Sequence, residues 1–301
     1  MNSINCPICG RNNDKNIKFC AYDRDYGHKS MFNIVGCDYC RVSYISPQPS
    51  REELQKHYPD DYSVFRDEKN TLIRFASKIL YNLEIAFFSK YIKSGRALDV
   101  GCGKGDYLTA LSRTGRWEVS GLELNSYAAK LAQERLKITI HNSTLEQAAF
   151  AKDSFDLVIL RHVLEHLPEP SLTLGHIHRI LSAKGILYLE LPNLDSWEYF
   201  VFKEYWNGLD VPRHLFNFTP YSIKLLLEKN GFRILSLRYS FVPNSWIGSI
   251  RQVLLDKFKL IAYARAVKNK NIFGALLFMP VSFLSMIMRK SGRMQIVATK
   301  S

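Results

Sequence analysis

Four of the six cysteines in this 301-residue chain occur as two identical C-x-x-C pairs, Cys6 with Cys9 and Cys37 with Cys40. Each pair can span a tight turn, and two such pairs can present four thiolates in the tetrahedral arrangement that zinc prefers. The alternative is a small core that holds four reduced thiols. The spacing predicts a structural Zn2+ ion in a zinc-ribbon-like module over residues 1–50, which ends at a Pro-rich turn.

A second group of residues forms a glycine-rich loop at 99–105, which reads Asp-Val-Gly-Cys-Gly-Lys-Gly after a short apolar run. Because glycine has no β-carbon, a ligand can approach the backbone of such a loop closely. The helix that follows begins with backbone amides that are free to donate hydrogen bonds to the ligand. An NAD fingerprint would need a third glycine where Asp106 stands. A P-loop would need Ser or Thr after Lys104, but Gly105 follows. The loop therefore predicts a nucleotide-like ligand other than NAD or ATP.

Histidines accompany an acidic residue in the segment His162-Val-Leu-Glu165-His166. This segment spells the inverted zinc-peptidase motif, which requires its residues to project from a helix. Here the segment follows an apolar, strand-like run directly, and Pro168 comes after it. These neighbours disfavour the peptidase interpretation.

A second histidine segment, residues 206–219, brings Trp206, Arg213 and His214 together in a loop before a capped helix. Loops at this edge of an α/β sheet often bind substrate. Because an imidazole titrates near neutrality, His214 could take a proton from a substrate hydroxyl, with His166 as a second candidate catalytic residue. The equal alternative is that His214 braces the loop. We expect Trp206 and Arg213 to contact substrate, Arg213 through a phosphate or carboxylate.

The elements that must position these residues alternate between β-type runs and helical patterns. This alternation predicts a parallel, doubly wound α/β core over residues 96–242, preceded by a helical linker over 51–95. Thr219 and Pro220 predict the N-cap and first residue of a helix. The predicted core strands cover residues 96–102, 117–124, 138–142, 155–160, 185–191 and 232–240, and a final strand covers 293–301.

On these motifs, residues 96–240 resemble a class I methyltransferase that depends on S-adenosylmethionine (SAM). The resemblance implies a seven-stranded Rossmann-like sheet and SAM as cofactor. In that family an acidic residue ending the second strand holds both ribose hydroxyls, and Glu123 stands there. Where the family often has an Asp near the adenine, this chain has Asn142-Ser-Thr-Leu, so we expect backbone contacts instead. The implied cofactor-binding residues are Asp99, Gly101, Cys102, Gly103, Gly105, Glu123, Leu124, Thr144, Leu145, Arg161 and His162.

Two local resemblances concern the reacting edge. Related quinone O-methyltransferases have a Glu-His pair, similar to Glu165 and His166, that can serve a divalent ion; the alternative is that the pair fixes the loop. Segments similar to residues 206–214 occur in methyltransferases associated with bacterial surface-polysaccharide synthesis. These resemblances imply O-methylation of a small-molecule, glycan, sugar-nucleotide or lipid-linked acceptor.

The positive charge is concentrated near the C-terminus. The net charge is +13, and residues 243–301 contain ten Lys or Arg and one acidic residue, whereas residues 1–70 are balanced. The uncharged run 272–288 is marginal for a membrane span and contains Pro280. We expect the insertion 243–292 to be helical and to contact an anionic membrane peripherally, or to form a lid or dimer surface. The N-terminus lacks a secretion signal, so we expect a cytoplasmic protein with unpaired thiols.

Two other functions compete with this interpretation. An RNA methyltransferase would use the zinc module to hold nucleic acid, but residues 1–70, which contain the module, carry no net charge. The fourth strand also ends in Leu-Arg-His rather than the Asn/Asp-Pro-Pro-aromatic signature of amino-group methylation. We therefore do not expect a nucleic-acid partner. The second alternative is a non-catalytic scaffold that binds zinc and SAM.

Overall fold

The computed structural model describes residues 4–58, 70–260 and 272–301. Residues 59–69 of the predicted linker and 261–271 of the predicted insertion lie outside this description. The chain folds around a seven-stranded mixed sheet, in the order β10-β11-β8-β7-β4-β5-β6. Its strands are β4 (Gly95–Val100), β5 (Trp117–Leu122), β6 (Ile140–His141), β7 (Phe155–Arg161), β8 (Leu181–Pro192), β10 (Phe232–Tyr239) and β11 (Arg293–Lys300).

Alternating side chains of the central strands separate two layers of core. Leu98 and Val158 pack on one face, and Ala97 and Leu157 on the other. This follows from the two-residue repeat of a strand, which sends successive side chains to opposite faces. The helices that accompany the sheet are α2 (Thr71–Phe88), α3 (Asp106–Ser112), α4 (Ser126–Leu136), α5 (Pro170–Ile180), α6 (Trp197–Phe202) and α7 (Pro220–Lys229).

The predicted fold class and strand order along the chain are confirmed. Strands β4 to β8 pair in parallel, and β11 is antiparallel to both β8 and β10. The final strand therefore returns to the same sheet after the insertion. Helix α7 begins as expected, because the Thr219 side chain accepts a hydrogen bond from the Ser222 amide and Pro220 occupies the first turn.

The four predicted zinc ligands lie beside a second sheet of four strands, in the order β1-β2-β3-β9, and Cys37 is the last residue of β2. The first three are β1 (Ile17–Asp23), β2 (His28–Cys37) and β3 (Val42–Ile45), and a short helix α1 (Arg51–Gln55) follows them. The fourth strand, β9 (Phe216–Asn217), comes from the loop after the core strand β8, and pairs with β3 through Tyr44 and Phe216. The N-terminal hairpins are thus joined to residues 206–219, the predicted substrate-binding loop, which we call the acceptor loop.

The insertion contains two described helices, α8 (Pro243–Asp256) and α9 (Ile272–Ile287). Helix α9 packs along α8 and contains Pro280. Among the described residues, no helix is both long enough and apolar enough to cross a bilayer.

Candidate active site

The glycine-rich loop connects β4 to α3 and bends through three glycines with left-handed backbone. Gly101, Gly103 and Gly105 have φ angles of 74°, 55° and 76°. A β-carbon on Gly101 would come within 2.6 Å of Val163 Cγ2, so the loop and the segment after β7 pack too closely for any side chain there. The loop requires glycine for its conformation and, at Gly101, for space.

Glu123, directly after β5, ties the glycine loop to the next helix. One carboxylate oxygen accepts a hydrogen bond from the Gly103 amide at 2.8 Å, and the other accepts one from the Asn125 amide at 2.8 Å. Each oxygen keeps a further lone pair that can accept a hydrogen bond from a ribose hydroxyl. Burial raises the pKa of Glu123 despite these amide donors.

Asp99, the last acidic residue before the loop, is buried at the same edge of the sheet. Burial raises the pKa of Asp99 to about 7, because the favourable effect of Arg161 is smaller than the cost of desolvating the carboxylate. A cationic ligand beside Asp99 would restore its ionised form.

A single cleft of about 2920 Å³ brings most of the predicted site residues together. The predicted catalytic, cofactor and substrate residues all line this cleft except Gly105 and Trp206. Those that line it from the cofactor side are Asp99, Gly101, Cys102, Gly103, Glu123, Leu124, Thr144, Leu145, Arg161 and His162.

Arg161 has two acidic partners that the sequence analysis missed. Its Nε lies 3.1 Å from Glu84 Oε2 of α2 and 3.0 Å from Glu190 Oε2 of β8, and its guanidinium stacks over the Tyr107 ring at 4.2 Å. Arg161 therefore compensates two buried carboxylates while its edge faces the cleft. The sequence did mark both partners as unusual, because Glu84 stands on an apolar helix face and Glu190 stands within an apolar strand.

His162 follows β7 with a left-handed backbone, φ 55°. Its Nδ1 lies 3.3 Å from Glu165 Oε1 and its Nε2 lies 3.7 Å from Glu190 Oε1. Burial and Arg293 disfavour the charged ring, but these two carboxylates outweigh them and raise the pKa of His162.

Glu165, His166 and His214 form a compact cluster beside the cleft. One potential ligand atom from each residue lies within 4.8 Å of the others. His166 Nδ1 lies 2.9 Å from the Arg213 carbonyl oxygen, and His214 Nδ1 lies 2.9 Å from the Gly208 carbonyl oxygen. Because a carbonyl can only accept, each Nδ1 carries a proton, and Nε2 is the ring nitrogen of each histidine that can accept one.

The protonation of the cluster follows from its burial and charges. Burial and, to a smaller extent, the neighbouring His214 lower the pKa of His166 to about 4. Burial alone would raise the pKa of Glu165, but the hydrogen bond with His162 and the nearby histidines outweigh it, so this pKa is lowered. At neutral pH Glu165 is ionised and His166 is neutral.

Trp206 and Arg213, expected to contact substrate, are placed differently. Trp206 is 1% exposed and packs edge-on against Tyr199, so its indole has no face for a substrate. The Arg213 guanidinium lies 2.8 Å from Asp23 Oδ2 and 2.6 Å from Asp210 Oδ1. Its charge is compensated within the protein, although Arg213 lines the cleft, so its contact with substrate stays a prediction. Trp206 does not line the cleft, and we correct its assignment: this side chain packs under the loop that carries His214.

The four predicted zinc ligands converge as expected. Their sulfur atoms lie within 4.8 Å of one another, and Cys9 Sγ is 3.7 Å from Cys37 Sγ. Tetrahedral zinc with bonds of about 2.3 Å separates its sulfurs by about 3.8 Å, so the cluster fits this ion. The carbonyl of Cys6 accepts from the Gly10 amide and that of Cys37 from the Arg41 amide, which closes both turns.

The fold and the cleft together define a class I, SAM-dependent methyltransferase domain. Residues 74–237 match the family described as a methyltransferase domain, and the chain belongs to that family. It is similar to a SAM-dependent methyltransferase structure from Thermotoga maritima, with a TM-score of 0.50 and 16% identity over 76% of this chain and 96% of that chain.

Curated relatives match the core of the chain. A demethylmenaquinone methyltransferase of Geobacillus stearothermophilus is 27% identical over 145 residues, 46% of this chain and 62% of the relative. A ubiquinone biosynthesis O-methyltransferase of Bartonella quintana is 26% identical over 165 residues, 50% of this chain and 66% of the relative. The chain thus spans about two thirds or less of the length of these relatives.

Proposed function

We propose that this protein transfers the methyl group of SAM to a hydroxyl of a lipid-linked acceptor, with a glycan part as the methylated group. The observation that carries the proposal is the placement of His214. Its Nδ1 is fixed by the Gly208 carbonyl oxygen at 2.9 Å, so that its basic Nε2 belongs to the cleft that also contains the glycine loop.

The cofactor side of the cleft fits SAM by its donors and acceptors. Glu123 offers two carboxylate oxygens for the ribose hydroxyls, and the backbone at Thr144 and Leu145 lines the place proposed for the adenine. Asp99 supplies a buried carboxylate for a positively charged cofactor. These features support the cofactor assignment independently of the acceptor.

In the proposed reaction, the acceptor oxygen attacks the methyl carbon in line with the C–S bond. The O–C bond forms, the C–S bond breaks, and S-adenosylhomocysteine leaves with the electron pair of that bond. The hydroxyl proton goes to Nε2 of His214, and Glu165, whose Oε1 lies 3.9 Å from this nitrogen, stabilises the imidazolium. Positioning of the acceptor contributes more to the rate than this proton transfer.

The same cluster offers a second way of activating the hydroxyl. Nε2 of His166, Nε2 of His214 and a Glu165 carboxylate oxygen fit the ligand preferences of a divalent ion, which would polarise the acceptor oxygen. Methyl transfer measured in EDTA, with and without added Mg2+ or Zn2+, tests the metal, and thermal unfolding of the same samples shows whether EDTA has also emptied the four-cysteine site. Activity that persists in EDTA supports His214 acting alone as the base.

Apolar side chains at the cleft favour a lipid-linked acceptor over a free sugar nucleotide. Leu72 and Ile79 of α2 and Leu276 and Met279 of α9 all line the cleft and are exposed. The names of the curated relatives refer to demethylmenaquinone and to ubiquinone biosynthesis, which makes a quinone-like ring the first alternative acceptor.

The test is transfer from radiolabelled SAM to a cell extract that is then separated into lipid, glycan and RNA fractions. We expect the label to appear in the lipid fraction, and mild acid should release this label together with the glycan. Label that stays with an acid-stable quinone would favour the alternative acceptor, and label in RNA would overturn the proposal. SAM binding without transfer to any fraction would identify a scaffold instead.

A further inference from the structure

Helix α9 has an unusual distribution of side chains. Ser282 and Ser285 are fully buried against the protein, whereas the outward positions carry large apolar residues. A surface helix ordinarily places its apolar stripe inward and its charges outward. The exposed apolar residues of α9 are Leu276, Leu277, Met279, Phe283, Leu284 and Ile287, with exposures between 42% and 74%.

Helix α2 shows a second exposed apolar face. Its exposed apolar residues are Leu72, Phe75, Ile79, Leu80 and Leu83, with exposures between 45% and 68%. Both helices contribute residues to the same cleft, among them Leu80 and Leu276. Exposed apolar surfaces of this kind mark sites of association in soluble proteins. We call the exposed apolar residues of α2 and α9 together the cleft-mouth surface.

The charges around α9 indicate what covers this surface. Residues 243–301 carry ten Lys or Arg and one acidic residue, and Arg289 and Lys290 follow α9 after Met288. Lys290 also pairs with Asp195, at 2.7 Å, so Arg289 is the basic residue at this end of α9 that we assign to lipid. An apolar helix face with basic flanks is the pattern of a helix that lies in the interface of an anionic membrane. A second copy of the chain would bring two such positive regions together, which disfavours a dimer at this surface.

We propose that the cleft-mouth surface docks onto an anionic phospholipid bilayer, with α9 lying in the plane of the interface. The docking that we propose is peripheral, and none of the described helices is long and apolar enough to span a bilayer. In this position the cleft opens toward the lipid, and a lipid-linked molecule reaches His214 without leaving the membrane. The inference goes beyond the proposed function, because docking requires neither SAM nor an acceptor.

The test is sedimentation of the full chain with vesicles of phosphatidylcholine alone or mixed with phosphatidylglycerol. We expect at least about tenfold tighter binding to the anionic vesicles. The double variant Leu277→Glu/Leu284→Glu places two charges on the outward face of α9 and should weaken this binding by at least about tenfold. The control is Met31→Glu, because Met31 is 59% exposed on β2 and does not line the cleft.

Circular dichroism and thermal unfolding should show that both variants fold, since all three side chains are exposed. Absence of wild-type binding to anionic vesicles, or equal binding by wild type and the double variant, would overturn the proposal. A dimer in analytical ultracentrifugation that the double variant dissociates, without any vesicle binding, would assign the surface to a second copy. Vesicle binding and methyl transfer are measured separately, so failure of one does not imply failure of the other.

Discussion

Arg213 of the acceptor loop and Asp23 of the N-terminal hairpin form a buried ion pair, with Nη1 2.8 Å from Oδ2. Asp23 also lies 2.8 Å from His57 Nδ1, and Arg213 donates to the His57 carbonyl oxygen at 3.1 Å. His214 is the next residue along the chain after Arg213. The N-terminal module therefore fixes the segment that we assign to catalysis.

Breaking this pair should destabilise the whole fold. We expect Asp23→Ala to lower the free energy of unfolding by about 3–5 kcal/mol, because it leaves the Arg213 charge buried with one partner fewer. The matched control is Lys18→Ala in the exposed pair between Lys18 and Asp38, which should cost less than about 1 kcal/mol. Urea unfolding of the two variants measures both values, and equal small losses would contradict the structural role.

His214 should affect turnover and leave cofactor affinity nearly unchanged. We expect His214→Ala to lower kcat by about 10²–10⁴, since the acceptor hydroxyl loses its proton acceptor. His176→Ala provides the control, because His176 lies on α5 and does not line the cleft. Calorimetric SAM binding and labelled methyl transfer separate the two effects. Wild-type turnover in His214→Ala would leave His214 with the bracing role alone.

Gly101 should be intolerant of a side chain for a reason that Gly115 does not share. Both have left-handed backbone, with φ of 74° and 67°, so alanine strains either site by about 1 kcal/mol. A β-carbon at Gly101 also meets Val163 at 2.6 Å, whereas one at Gly115 meets nothing within 4 Å. We expect Gly101→Ala to weaken SAM binding by at least about tenfold, and Gly115→Ala to bind SAM normally. Similar affinities of the two variants would show that the loop is not the cofactor site.

Cofactor affinity should depend on pH through Asp99. The pKa of Asp99 is about 7 without ligand, and a positively charged cofactor favours the ionised carboxylate. SAM affinity should therefore rise with pH and be about tenfold weaker at pH 6 than at pH 8. Asp99→Asn should bind more weakly at pH 8 and show a flatter profile over this range. An unchanged slope in the variant would assign the pH dependence to another group.

Loss of zinc should destabilise the acceptor loop. Strand β3 begins directly after the second C-x-x-C turn and pairs with β9, and the Ile45 amide donates to the Leu215 carbonyl oxygen at 3.0 Å. We expect about one zinc per chain, and Cys37→Ser should lose the ion and at least about 3 kcal/mol of stability. The exposed Cys20 supplies the control as Cys20→Ser, which should retain both. Metal analysis and thermal unfolding test this, and full stability of Cys37→Ser without metal would contradict it.

The sequence by itself determined the elements and the cofactor edge, because their signals are local. Alternating strand and helix patterns specified the sheet, three glycines within five residues specified a turn that no other residue can form, and two C-x-x-C pairs specified four converging sulfurs. The resemblance implied a ribose contact for Glu123 from its position at the end of the second strand, and this role stays a prediction. Domain boundaries, by contrast, stay a prediction.

Only the tertiary structure decided what neutralises each buried charge. In the sequence, Arg213 is available to bind a phosphate, because its acidic partner Asp23 is distant along the chain. The pairing of Arg161 with Glu84 and Glu190 could not be predicted for the same reason. The pairing of β3 with β9 likewise joins two distant segments through backbone hydrogen bonds, which carry no residue-specific pattern. Local spacing specifies the groups that can react, whereas long-range packing decides which of them remain free to meet a substrate.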